Sequence, residues 1–157
     1  VCNTTYVDKD KKGHTVVLGF GHLGQEVVKK LKAYGHDYVI IEHNLKYFEL
    51  GMSTQEPMVF GNASSKHILN AVNIQTACSV IVAIENPDQI HLICEIIDDL
   101  TQNTKTVVKV KRPEEKKALE GLHLEHIIVS DDVVAQALVD ETKFCNITLF
   151  GDENKNI

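Results

Sequence analysis

The sequence predicts an α/β domain built on a doubly wound parallel sheet of six strands, with helices on both faces. Three observations predict it. Short apolar runs alternate with amphipathic stretches six times along the chain. The runs, such as "VVLGF" and "SVIVAI", are continuously apolar, as strands buried on both faces are. The first run enters a glycine turn, "GFGHLG" at residues 19–24, that opens the first helix.

The elements follow in order. "HTVVLG" (14–19) is a buried strand. Leu23, Val27, Leu31 and Tyr34 then recur at helical spacing with Lys29, Lys30 and Lys32 between them, an amphipathic helix stopped near Gly35. "YVIIE" (38–42) is the second strand, and "NLKYFELG" (44–51) a short helix ended by Gly51. "PMVFG" (57–61) is strand three, "SKHILNAV" (65–72) a helix and "SVIVAI" (79–84) strand four. Asn86 and Pro87 signal the start of a helix over 88–100. "TVVKVK" (106–111), a helix over 113–121 and "HIIVS" (126–130) complete the sheet, and Ser130 is expected to cap a last helix with Asp131 and Asp132 in its first turn. Ligands of open parallel sheets bind at the carboxyl ends of the strands. Here those ends are Gly19, Glu42, Gly61, Ile84 and Lys111.

Bulk properties narrow the function. The chain of 157 residues suits one domain, and its 43% apolar and 24% charged residues are ordinary for a globular protein. A net charge of −6 argues against a general nucleic-acid binder. No apolar run approaches the roughly 20 residues of a membrane span. Cys2, Cys78, Cys94 and Cys145 are far apart with no C-x-x-C, which fits free thiols in a reducing compartment. The chain starts at Val1, so residues 1–13 are expected to link to a preceding membrane portion. Residues 14–142 form the domain, and 143–157 are a tail whose end, "DENKNI", is expected to be disordered.

The glycine turn has its full context: strand before, helix after, then a second strand ending in an acid. Gly19 permits the tight turn, Gly21 lets backbone approach a phosphate, and Gly24 lets helix and strand pack closely. The helix start offers free N–H groups to an anion. Glu42 lies 23 residues after Gly19, near the roughly 20 expected of a ribose-binding carboxylate. A carboxylate there favours NAD(H) or a simple adenine nucleotide over a 2′-phosphorylated one. His22 opens the helix and, if cationic, could pair with the phosphate; otherwise it is a polar residue on the turn. His43 either flanks the adenine or faces solvent.

With these residues in place, the chain resembles the regulator-of-K⁺-conductance (RCK) N-lobe, the Trk-type or KTN nucleotide-binding domain, over about residues 14–142. "VVLGFGHLGQEVVKKL" is similar to the family's first strand, Rossmann-type glycine loop and helix, and "VVKVKRPE" to its fifth strand ending in arginine. The run over 59–100 is more specific. It matches a Gly-Asp-Ala turn, a helix, a short connecting segment, strand four and a long helix. The resemblance implies nucleotide contacts at Gly19, Phe20, Gly21, His22, Leu23, Glu42, Asn62, Ala63, Asn86 and Arg112. Asn62 replaces the usual aspartate and removes a negative charge; Val110 stands where many members have another arginine.

The resemblance further implies a cytosolic domain that senses NAD(H) or AMP, ADP or ATP and controls potassium transport through a channel or transporter at the membrane. It also implies a homodimer, the unit that in family members often assembles further into rings. The chain shows no G-x-S-x-G, no H-E-x-x-H and no Cys/His pair at a motif spacing, so sensing is favoured over catalysis. The rival is the nucleotide-binding domain of an NAD-dependent oxidoreductase lacking its catalytic portion. Helix 88–100 carries one apolar stripe (Ile90, Ile93, Cys94, Ile97, Leu100) and a second (Leu92, Ile96), and the last helix has Val133, Val134, Ala137, Leu138 and Val139. Helices apolar on more than one side are buried by a partner or lie deep in a core. Asp98 and Asp99 could join a Ca²⁺ site across a dimer, although a solvated acidic face is preferred. His123 and His126 have H-x-x-H spacing but lie at a loop entering a strand, so no metal site is assigned.

Overall fold

The computed structural model describes residues 10–143. The expectations for Cys2, Cys145 and the ends of the chain fall outside them. Six strands, β1 (Thr15–Leu18), β2 (Tyr38–Glu42), β3 (Met58–Phe60), β4 (Ser79–Val82), β5 (Lys105–Val110) and β6 (His126–Val129), alternate with six helices. These are α1 (His22–Ala33), α2 (Leu45–Ser53), α3 (Lys66–Ala71), α4 (Pro87–Leu100), α5 (Pro113–Ala118) and α6 (Ser130–Asp140). All strand pairs are parallel, in the order β3-β2-β1-β4-β5-β6, with Val17 beside Ile40 on one side and Ile81 on the other. The expected doubly wound sheet is what the chain forms.

Alternation along the strands builds two cores. Val16, Leu18, Val39, Ile41, Val80 and Val82 face α3, α4 and α5, where Leu69, Ile93, Ile97 and Leu119 complete the larger one. Val17, Ile40 and Met58 face the other way, onto Phe20, Val28 of α1 and Phe48 of α2. On that second side the β4–β6 half of the sheet is only partly covered. An apolar groove of about 260 Å³ runs there between Leu23 and Val27 of α1, Ile81, Val107 and Ile128 of the sheet, and Val133 and Val134 of α6.

Two local expectations need correction. Gly51 does not end α2, which runs on to Ser53. A β-carbon on Gly51 would collide with the buried Met58 side chain, so glycine here lets α2 lie close against β3. Ser130 does not cap α6: it is the helix's first residue, Val129 is the N-cap, and no side chain caps that end. β6 passes directly into α6, which leaves no loop residue to act as a cap. Asp131 and Asp132 do lie in the first turn. In α4, Ile96 packs against the larger core, whereas Leu92 is exposed.

Candidate functional site

Parallel strands bring their carboxyl ends to one edge of the sheet. In this strand order the winding reverses between β1 and β4, so the loops after those strands diverge and leave a crevice. A cleft of about 370 Å³ opens at that point. It is lined by Gly19 and Gly21 after β1, Glu42 at the end of β2 with His43 and Asn44 after it, and Tyr47 of α2. Gly61, Asn62 and Ala63 follow β3, and Ala83 to Asn86 follow β4, with Gln89 of α4.

The three glycines of the loop have different causes. Gly19 has φ +104°, and a β-carbon there would stand 2.5 Å from the Ala83 carbonyl oxygen. A β-carbon on Gly24 would run into the Gly19 carbonyl oxygen. Packing of the chain against itself therefore requires glycine at both positions. At Gly21 a β-carbon would meet nothing within 4 Å, and the residue borders the cleft. Gly21 is also the N-cap of α1, where serine or aspartate serves at least as well. No described atom explains this glycine; an occupant of the cleft would.

Glu42 is 5% exposed, and its carboxylate is already engaged. Oε1 accepts the Phe20 backbone N–H at 2.6 Å, and Oε2 accepts those of His43 and Asn44, both at 2.8 Å. The residue expected to grip a ribose thus first ties the glycine loop to the loop after β2. A carboxylate offers about four acceptor positions, so one remains for a ligand hydroxyl. Gln25 adds a second tie, its side-chain amide donating to the Phe20 carbonyl at 3.0 Å.

Asparagines set the other loops. Asn44 Oδ1 accepts the N–H groups of Lys46 and Tyr47 and caps α2. Asn62 Oδ1 accepts from the backbone and hydroxyl of Ser64, and Asn86 Oδ1 caps α4 through Asp88 and Gln89. Each amide still carries an NH₂ donor. Among the described residues, the charged side chains of the lining are Glu42 and Glu85, with neither lysine nor arginine. His43 Nδ1 lies 3.6 Å from Glu42 Oε2, and Lys109 Nζ lies 3.6 Å from Glu85 Oε2.

The cleft gathers Gly19, Gly21, Glu42, His43, Asn62, Ala63 and Asn86 from the sequence-derived set. Gly24 lies buried beneath it, and the Phe20 ring belongs to the smaller core. His22 stands at the rim with its ring edge-on to Tyr47, centroids 6.4 Å apart. Leu23 lines the apolar groove instead. Arg112 is the exposed N-cap residue of α5 and is not among the lining residues. Asn44, Tyr47 and Gln89 were not anticipated. The cap chemistry of Asn44 was a usable signal, whereas Tyr47 reads as an ordinary position of an amphipathic helix.

Elsewhere, His123 Nδ1 lies 2.9 Å from Asp98 Oδ1, and Lys66 Nζ lies 3.8 Å from Asp99. Among the described residues no three His, Cys, Asp or Glu side chains come together to hold a metal ion.

Residues 15–130 match the TrkA-N domain family. The chain is 28% identical over 116 residues to K(+) efflux antiporter 1, chloroplastic, of Arabidopsis thaliana, covering 74% of this chain and 9% of that protein. It is 25% identical over 128 residues to a Trk system potassium uptake protein TrkA homolog of Pyrococcus horikoshii, covering 78% and 56%. It thus spans well under two thirds of either relative. Among solved structures, the TrkA-N domain of the Escherichia coli inner membrane protein ybaL superposes with a TM-score of 0.78 at 18% identity, covering 83% of this chain and 97% of that one. The AMP-bound Kef CTD of Shewanella denitrificans gives 0.70 at 18%, covering 90% and 92%. The NAD-bound GsuK channel gives 0.69 at 22%, covering 80% and 23%. At these identities the likeness is one of fold.

Proposed function

Because the chain belongs to the TrkA-N domain family, we propose that it is a cytosolic regulatory domain that senses an adenine nucleotide or NAD(H) and controls potassium flux through a channel or transporter. The observation that carries this reading is Gly21, a glycine at the edge of the cleft that no contact within the described residues requires. The relatives support the ligand class, since solved structures of similar fold hold AMP and NAD. In this reading the ribose hydroxyls reach the remaining acceptor position of Glu42, the phosphate lies over Gly21 at the start of α1, and Asn62 and Asn86 donate from the opposite loops.

The domain acts by binding, with no chemistry on its guest. A nucleotide shifts a conformational equilibrium by as much as its affinities for the two states differ. No helix among the described residues is long and apolar enough to cross a membrane, so the ion path in this reading lies in another segment or partner at the membrane. A homodimer is the proposed unit. On α6, Val133 and Val134, which line the apolar groove, and Leu138 and Val139 are each more than half exposed. They adjoin the groove over β4–β6 and would be buried by a second copy.

Thermal unfolding with NAD⁺, NADH, AMP, ADP and ATP tests the reading. A ligand at 100 times its Kd adds about 2.7 kcal/mol. For a chain of this length that raises Tm by roughly 5–10 °C. No shift with any of them at millimolar concentration contradicts it.

A further inference from the structure

The charge inventory of the cleft implies more than the ligand class; this step rests on the nucleotide reading above. A phosphate brings at least one negative charge to a site whose charged lining is acidic, Glu42 and Glu85. The lysines of adjoining elements do not line it. Lys109 is within 3.6 Å of Glu85, Lys66 pairs with Asp99 across α3 and α4, and Lys46 is exposed on α2. Arg112 also lies off the lining. Among the described residues, two histidines that can become cationic remain near the cleft. His43 sits beside Glu42, on the side where the ribose would lie. His22 is also off the lining, but it begins α1 directly after the lining residue Gly21, and its ring lies against Tyr47, a lining residue of the facing helix α2. The other ionisable neighbours on α1 and α2 are Glu26, one turn on from His22, and Lys46, beside Tyr47. Imidazole is the side chain whose charge ordinarily changes between pH 5 and 8.

We propose that phosphate recognition in this cleft is proton-linked, with the His22 imidazolium as the side-chain cation on the phosphate, so that the sensor binds a nucleotide of low phosphate charge and binds it more tightly as pH falls. Protonated His22 offsets one of the roughly two charges that a nucleoside monophosphate or the diester-linked pyrophosphate of NAD⁺ carries near neutral pH. A triphosphate would leave two or more charges facing Glu42 and Glu85. Cellular acidification would then load the domain without any change in nucleotide concentration.

The experiment is calorimetric titration of the 157-residue chain and of His22→Gln and His22→Arg with AMP, ATP and NAD⁺, each at pH 6 and pH 8. The ratio of variant to parent Kd cancels ionisation of the nucleotide itself. For His22→Gln this ratio, taken with AMP or NAD⁺, is expected to be at least fivefold larger at pH 6 than at pH 8. His22→Arg should restore tight binding at pH 8 and bring ATP within reach of AMP. A parent chain that binds with the same His22→Gln ratio at both pH values overturns the proton link alone, as does ATP binding tighter than AMP at pH 8. No binding of any nucleotide by the parent chain overturns the link together with the reading beneath it.

Discussion

Replacing Glu42 with glutamine changes one atom in a buried position, and the structure assigns it an unusually large effect. The carboxylate accepts three backbone N–H groups, from Phe20, His43 and Asn44. Glutamine can face Phe20 with its oxygen, placing its NH₂ against the donors of His43 and Asn44, or it can do the reverse. Either way donor meets donor. A hydrogen bond to a charged acceptor contributes about 1.5–3 kcal/mol, and a buried donor left unmet costs about 1–3 kcal/mol. The His43 and Asn44 groups border solvent and can recover water, whereas the Phe20 bond is buried. We therefore expect Glu42→Gln to lose roughly 3 kcal/mol, nearly as much as Glu42→Ala, and to melt about 6–12 °C below the parent chain. Circular dichroism at 222 nm measures this. A glutamine variant that melts within about 1 °C of the parent would show that Glu42 does not hold the loops together.

Three further perturbations follow. Gly24→Ala should lose about 3 kcal/mol or more, because a β-carbon there collides with the Gly19 carbonyl oxygen, whereas Gly21→Ala should lose only the N-cap preference for glycine, about 1 kcal/mol or 2–4 °C; equal melting points for the two would contradict the division between packing and ligand glycines. His14 is fully buried with Nε2 2.7 Å from the Val72 carbonyl oxygen, and burial lowers its pKa from the ordinary 6.5 against the opposing pull of that carbonyl. The unfolded chain then takes a proton that the folded one refuses, so this stability is complete above pH 6.5 and is lost as pH falls through the lowered value; denaturant melts from pH 7 to 4 should show a shallower loss in His14→Gln, and an unchanged slope would exclude this residue. Light scattering at micromolar concentration should give a dimer mass that Val134→Glu with Leu138→Glu reduces to a monomer, whereas a monomeric parent chain would leave the exposed face of α6 without its proposed partner.

Much of this architecture was legible because its signals are local and repeated. Six apolar runs at regular intervals, with Gly35 and Asn86 as punctuation, give the elements to within a few residues. The strand order was not predicted, since nothing local marks which strands pair. Gly51 misled because a glycine near the end of a short apolar pattern looks like a stop; its cause is the Met58 side chain on another element. Ser130 misled for the converse reason, a capping residue type at a junction that leaves no loop to cap. The site divides in the same way. Gly19, Gly24 and Glu42 follow from a linear motif, but the triple use of the Glu42 carboxylate depends on how two loops meet. Arg112, assigned by resemblance, lies outside the cleft lining as the exposed N-cap residue of α5, a placement that the linear order does not reveal.

The central claim is that the space above Gly21 belongs to a nucleotide. Calorimetry of the parent chain and of Gly21→Ala with NAD⁺ and AMP tests it most directly. Saturable one-to-one binding by the parent, weakened at least tenfold in a Gly21→Ala chain that remains folded, is the expected result. Equal affinity in the two chains, or no heat from either ligand at millimolar concentration, would contradict it.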